Sequence, residues 1–143
     1  MAEVTFVGFK IKRIDLNNSS KKLGPLKIIH NREFDVDYTP DNTHATAELN
    51  ESIYNKNNPD AVHLYFTIEG MFDLTGVEDI ETKKDAHIAC YEFLSSTTKE
   101  ILESLLSYSG MGNVSFDKFP LDREDIDFGE ESEDGKIIDF PKQ

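Results

Sequence analysis

Tryptophan is absent from these 143 residues, and cysteine occurs once, at position 90. A single thiol excludes an intramolecular disulfide framework and fits a reducing compartment. Positive charge is scarce: 15 Lys and Arg stand against 28 Asp and Glu, a net charge of −13 at pH 7. Such a field repels phosphates and opposes direct binding of DNA or RNA, while it speeds encounter with basic partners. No apolar stretch approaches the roughly 18 residues that a membrane span needs, so no membrane partner is expected. The opening Met-Ala-Glu-Val-Thr-Phe-Val-Gly-Phe-Lys has neither the basic start nor the long apolar centre of a secretory signal, and the expected location is the cytoplasm. No internal repeat and no linker between two cores interrupts the chain, which has the size and the mean hydropathy (−0.49) of one globular domain.

The residue sets that catalysis needs are equally thin. Cys90 has His87 three positions before it and Asp85 nearby, the residue types of a nucleophile and its base. The plainer expectation is a buried, inert thiol beside a surface histidine. His30, His44, His63 and His87 show none of the short spacings of metal ligands. Glu33, Asp35 and Asp37 share one strand face, which reads as a solvated sheet surface because a cation site needs ligands converging from several elements. Gly110-Met111-Gly112 follows a helix instead of opening one, so it makes no phosphate cradle. The sequence therefore points to no catalytic residue, no metal, no cofactor and no enzyme.

What is present is a strand and a helix within 61–108. In 61–70, Val62, Leu64, Phe66 and Ile68 alternate with His63, Tyr65, Thr67 and Glu69, one aliphatic face and one mixed face. Gly70 to Gly76 reads as a second short apolar piece bounded by glycines. A helix is expected over 95–108: Leu94, Ile101, Leu102, Leu105 and Tyr108 recur at spacings of three and four, Leu106 widens the stripe, Thr97 and Glu100 form a capping-box pattern, and Gly110 and Gly112 supply a stop. The segment 77–86 reads as a polar connection, with 87–94 leading into the helix.

Upstream, 3–14 reads as a strand apolar on both faces, with Val7, Phe9 and Ile11 on one and Val4, Phe6 and Ile14 on the other. Such a strand is either central in its sheet or buried by a partner chain. A loop follows at 15–25, a strand at 33–38 with Phe34, Val36 and Tyr38 inward, and a weaker strand at 44–54 whose parity Glu51 breaks. Downstream, Val114, Phe116, Phe119 and Leu121 make an extended apolar segment. Residues 122–134 hold eight carboxylates against Arg123, and 122–143 has the composition of a mobile acidic tail in which Ile137, Ile138 and Phe140 are candidates for local docking. The division is a domain at 1–121 and a tail at 122–143.

Ten Phe and five Tyr are many rings for a small acidic chain. Core filling accounts for most of them; the remainder suggests an exposed apolar groove for extended peptides and self-association with two-fold symmetry. The charge also suggests an acidic mimic of nucleic acid, although about half of it lies in the tail.

Several segments together resemble SecB, the bacterial protein-export chaperone family. Glu69 to Gly76 (Glu-Gly-Met-Phe-Asp-Leu-Thr-Gly) is similar to its Gly-Gly-Ile-Phe-x-Ile-x-Gly segment, and Phe9-x-Ile11-x-Arg13-Ile14 to its first strand. Phe34-x-Val36-x-Tyr38, the hairpin, and the helix with its glycine exit follow in the family's order from about Val7 to Leu121. The resemblance implies an α+β fold, a four-stranded antiparallel sheet with a long helix on one face. It implies a homotetramer built as a dimer of dimers, without catalysis or nucleotide, that holds unfolded or precursor polypeptides in apolar grooves. The alternative within that family is a dedicated binding protein for one partner, such as an antitoxin or a phage or host factor. Matching segments carry the peptide groove onto Met71, Phe72, Leu74, Phe93 and Leu94, and packing or oligomer contacts onto Ile101, Leu102, Leu105 and Leu106. Three features depart from the family. Leu94-Ser95-Ser96-Thr97 stands where it has Leu-Phe-Pro-Tyr before the long helix. Asn18 and Tyr65 stand near its acidic contacts to the export motor. The acidic tail replaces its C-terminal helix.

Overall fold

The computed structural model describes residues 2–19, 27–110, 119, 121–126, 128 and 138–139. Residues 20–25 of the expected loop, together with Met111, Gly112, Val114, Phe116, Ile137 and Phe140, lie outside them. Four long strands, β1 (Glu3–Asn18), β2 (Ile28–Tyr38), β3 (His44–Asn55) and β4 (Val62–Thr75), precede one helix, α1 (Ile80–Tyr108). A one-turn 3-10 helix (Arg123–Asp125) and a two-residue strand, β5 (Ile138–Asp139), follow. Every pairing is antiparallel and the strand order is β1-β4-β3-β2-β5. The four-stranded antiparallel sheet with a long helix on one face is the α+β fold expected from the sequence.

Alternation sets the buried face. Val62, Leu64, Phe66 and Ile68 of β4, Phe34, Val36 and Tyr38 of β2, and Ala45, Ala47, Leu49 and Ile53 of β3 all lie beneath α1. β4 does not stop at Gly70, as the two-piece reading had it, but runs through to Thr75 with its parity intact, so Phe72 and Leu74 join the same face. Gly70 interrupts the sequence pattern for a packing reason. A Cβ built there would stand 2.7 Å from Leu94 Cδ2, and Gly70 pairs with Ala47 across the sheet. Small residues at this point let α1 approach the strands.

The opposite sheet face is polar and cross-linked: Lys12 reaches Glu48 at 3.2 Å and Glu69 at 3.7 Å, and His63 meets Asp15 at 2.9 Å. Asp15 raises the His63 pKa, and His63 in turn lowers that of Asp15.

The helix begins well before the expected residue 95. Asp79 caps it: its side chain accepts from Thr82 N–H at 2.8 Å, while Thr82 Oγ1 accepts from Asp79 N–H at 3.0 Å, a reciprocal capping box. The supposed polar connection at 77–86 is largely the first turns of α1, and Thr97–Glu100 and Leu94–Thr97 lie in mid-helix. Residues 80–85 of the helix bury nothing, and Ala86, His87 and Cys90, the first buried positions, are small or polar, so the apolar stripe begins only at Tyr91 and Leu94. Ser109 and the left-handed Gly110 (φ 83°) end the helix, as the glycine signal predicted.

Candidate functional site

α1 lies over the middle of the sheet and leaves a flank on each side. The β1 flank is apolar and open. In the sequence β1 seems apolar on two faces; in the structure it has one. Its register against β4 shifts between Phe6 and Gly8 and again between Ile11 and Arg13. Each shift inserts a residue and flips the parity. Phe6 therefore pairs with Phe72, Phe9 with Gly70, Ile11 with Ile68 and Ile14 with Phe66, all on the helix side. β1 is thus neither central nor two-faced: it is the edge strand, opposite to β2.

The helix meets this strand at Phe6, through Phe93, and at Asn18, through the Ser109 carbonyl, but leaves the residues between them partly uncovered. Phe9 is 44% exposed, Ile11 40% and Ile14 46%, and Phe93 on the facing side of α1 is 42% exposed. Phe6 joins the two elements: its ring stacks on Phe9 (6.0 Å between centroids) and on Phe93 (5.7 Å), and meets Phe72 at 5.2 Å.

The sequence-predicted groove residues are divided by this geometry. Phe93 is exposed on the β1 flank and Met71 is exposed, its position in β4 facing the polar side of the sheet. Phe72, Leu74 and Leu94 are buried in the core beneath α1. Phe72 and Phe93 still meet, at 6.1 Å. Of the helix set, Leu102 and Leu106 are buried, while Ile101 and Leu105 are partly buried against the core. Phe6, Phe9, Ile11 and Ile14 line the open flank as well. In a regular strand Phe6 and Ile14 would face one way and Phe9 and Ile11 the other; the two register shifts bring all four to one face.

The β2 flank is polar at its base and closed. Arg32 of β2 and Glu51 of β3 pair across the strands through two hydrogen bonds, Nε to Oε1 at 2.7 Å and Nη2 to Oε2 at 2.6 Å. Arg32 Nη1 also donates to the hydroxyls of Tyr91 (2.9 Å) and Ser95 (2.8 Å), which ties the sheet to α1. His30 Nε2 lies 3.2 Å from Glu51 Oε1. Burial works against both charges, but the pair outweighs it: the Arg32 pKa is raised, and Arg32 followed by His30 holds the Glu51 carboxyl below its usual range. This explains why Glu51 breaks the parity of β3: it is a core position filled by a charge whose partner sits on the next strand.

Farther along, His87 is buried with Nδ1 2.8 Å from the Tyr38 hydroxyl, and burial, then Lys83, pushes its pKa down to about 4. The histidine expected at the surface is therefore a neutral core group at pH 7. Cys90 is fully buried, and burial raises its pKa to about 12. Asp85 is bound to Arg123. These three residues make no nucleophile and base. Among the described residues no group of three or more His, Cys, Asp or Glu could hold a metal ion, and no helix is long and apolar enough to cross a membrane.

The described residues after α1 close this flank. Phe119, Ile126 and Phe128 are buried, the last two within the main core, and β5 pairs with β2 at Glu33 and Phe34. Core residues therefore lie on both sides of residue 121.

No protein-family model and no curated protein matches the sequence. A solved structure does match: the SecB-like chaperone Rv1957 of Mycobacterium tuberculosis, in complex with a ChAD peptide from the Rv1956 HigA1 antitoxin. The two chains are 16% identical and superpose with a TM-score of 0.60 over 80% of this chain and 90% of that one. The fold of this chain is that of a SecB-like chaperone.

Proposed function

We propose that this protein is a SecB-like chaperone that binds non-native polypeptides and keeps them folding- or export-competent. The observation that carries the reading is the uncovered apolar strip of Phe9, Ile11, Ile14 and Phe93 on the flank between β1 and α1. A contiguous exposed apolar strip marks an interaction surface, because covering it removes apolar area from water. An extended polypeptide fits a strip bounded by a strand and a helix, with Phe6, Phe72 and Phe93 as a ring cluster at one end. The buried Phe72, Leu74 and Leu94 then belong to the core beneath the strip, and Ile101 and Leu105 serve packing against that core.

The same edge serves self-association. The outer side of β1 has no strand beside it among the described residues, and a homotetramer arranged as a dimer of dimers joins copies through such edges. The role is non-catalytic and cytoplasmic. The net charge of −13 favours basic clients over nucleic acid.

A dedicated partner is the second reading. The peptide in the Rv1957 structure comes from an antitoxin. Asn18, which stands near an acidic motor-contact position of the export family, is tied by its side chain to the Ser109 carbonyl at 2.8 Å. Tyr65, near the other, stacks on His63 at 4.8 Å. Neither offers an acidic contact to an export motor.

The test is suppression of aggregation of a chemically unfolded protein, titrated with this chain at low and high salt. Stoichiometric suppression that survives high salt supports the general chaperone. A protein that is monomeric and leaves aggregation unchanged removes that reading, and capture of one stoichiometric partner then supports the dedicated one.

A further inference from the structure

The polar face of the sheet, opposite α1, carries a hollow of its own, of about 170 Å³. Two adjacent rows of the antiparallel register cross it. One runs Arg13, Thr67, Asn50 and Glu33 from β1 to β2, and the other runs Asp15, Tyr65, Ser52 and Asn31. The two central strands set the short Thr67, Asn50 and Ser52 side by side, and short side chains between longer ones leave a depression. Tyr65 stands on one side, with the Arg13 guanidinium 5.4 Å from its ring centre, and Asn31 and Glu33 stand on the other. We propose that this hollow binds a small linear zwitterion with an amide at its centre, about the size of a di- or tripeptide, whose carboxylate meets Arg13 and whose ammonium meets Glu33.

Elsewhere on this face charge meets charge. Lys12 lies 3.2 Å from Glu48 and 3.7 Å from Glu69, Lys10 lies 3.5 Å from Glu69, and His63 holds Asp15 at 2.9 Å. The row through the hollow ends instead in opposite charges that stand apart. Arg13 has an exposed contact of 3.5 Å with Asp15, a carboxylate already engaged by His63. Glu33 is exposed and has no ion-pair partner among the described residues. Three strand spacings separate Arg13 from Glu33 at the backbone, roughly 14 Å. Both side chains line the hollow between them, so two or three extended residues, about 7–10 Å, span the remaining distance. The net charge of −13 disfavours a simple anion, and a simple cation leaves Arg13 unmatched. A zwitterion satisfies both ends and adds no net charge.

The floor suits an amide. The Asn31 side-chain oxygen is buried and has no hydrogen-bond partner among the described residues. A buried acceptor left in this way has its desolvation uncompensated. The other end of the same amide is held only by a long bond to the Tyr54 hydroxyl, at 3.4 Å, so a turn of the side chain brings the oxygen to a guest. Asn50 accepts from Thr67 Oγ1 at 2.6 Å, which leaves its own N–H groups to donate. A guest's N–H serves the first and its C=O the second. Phe9, Ile11 and Ile14 lie on the helix side of the sheet, so this site stands or falls independently of the apolar strip.

Nuclear magnetic resonance titration of the isotope-labelled, full-length protein with triglycine tests this, with the N-acetylated, C-amidated peptide as the uncharged control. Triglycine is expected to bind with a Kd of about 1 mM and to move the amide signals of Arg13, Asn31, Asn50, Ser52, Tyr65 and Thr67. The capped peptide is expected to bind about fivefold more weakly or worse. Arg13→Gln and Glu33→Gln, both at exposed side chains, should each weaken triglycine about two- to fivefold, and Ser52→Tyr, which fills the floor, should remove binding. Absence of any shift at about ten times the expected Kd overturns the proposal. So do shifts confined to Phe9, Ile11, Ile14 and Phe93, equal affinity for the capped peptide, or unchanged affinity in any of the three variants. None of these results bears on suppression of aggregation, so failure here is distinguishable from failure of the chaperone reading.

Discussion

The two flanks of α1 rest on the same sheet, yet one is left open and the other is filled. On the β1 side, Phe9, Ile11 and Ile14 share the helix side of the sheet but stay partly exposed. On the β2 side, Phe119, Ile126 and Phe128 are buried near a buried charge pair, Arg32 and Glu51. The open flank costs little to alter from within the protomer, because its side chains have few neighbours to lose. The closed flank is a set of interlocked polar groups, where removal of one partner strands another. Function is expected on the first and rigidity on the second.

The largest expected effect is on the closed flank. Glu51→Ala leaves the Arg32 guanidinium buried without its carboxylate, and urea unfolding is expected to report a loss of about 3–5 kcal/mol. A loss below about 1 kcal/mol would mean that water enters this flank and that the two sides differ less than their geometry suggests.

Next is a pH effect confined to the same side. The folded pKa of His87 is lowered to about 4, so the unfolded chain takes up a proton that the folded one refuses. This contribution is intact above the ordinary histidine pKa of about 6.5, and is lost as pH falls from there towards 4, by up to about 3 kcal/mol. Thermal unfolding between pH 7 and 4 should show it, and His87→Phe should flatten the slope. An unchanged slope in that variant would assign the pH dependence to other groups.

Gly70→Ala tests the floor that both flanks share. The added Cβ presses on Leu94 Cδ2, the far end of a flexible side chain, and a loss of about 1–3 kcal/mol is expected from denaturant titration. Asp79→Ala removes the reciprocal cap and is expected to cost about 1 kcal/mol by the same measurement.

The smallest stability effect belongs to the open flank. Phe9→Ser with Ile11→Ser is expected to change protomer stability by about 1 kcal/mol or less. It should nonetheless remove suppression of aggregation and lower the sedimentation mass. Full retention of both would move the site away from β1.

The misreadings of the sequence follow the same division. Strands β2, β3 and β4 were legible because alternation with a period of two needs no knowledge of neighbours. β1 was legible as a strand and misread as two-faced, since a looped-out residue leaves no mark on composition. Leu102 and Leu106 announced the second half of α1, while Ala86, His87 and Cys90 concealed the first half, whose burial depends on Tyr38 and Phe34 reaching up from β2. Glu51 registered as an irregularity, and Arg32, the residue that explains it, carried no signal of its own.

The sequence by itself determined the position of three strands, the end of the helix and the polarity of the molecule, because propensity, periodicity and charge are local or additive; the class of the fold came from the resemblance of several segments to one family. Only the tertiary structure decided which apolar residues remain exposed, which charges are buried, and that Ile126 and Phe128 of an acidic segment pack into the core. Each of those outcomes depends on what lies opposite in space, and a linear pattern holds no record of its opposite.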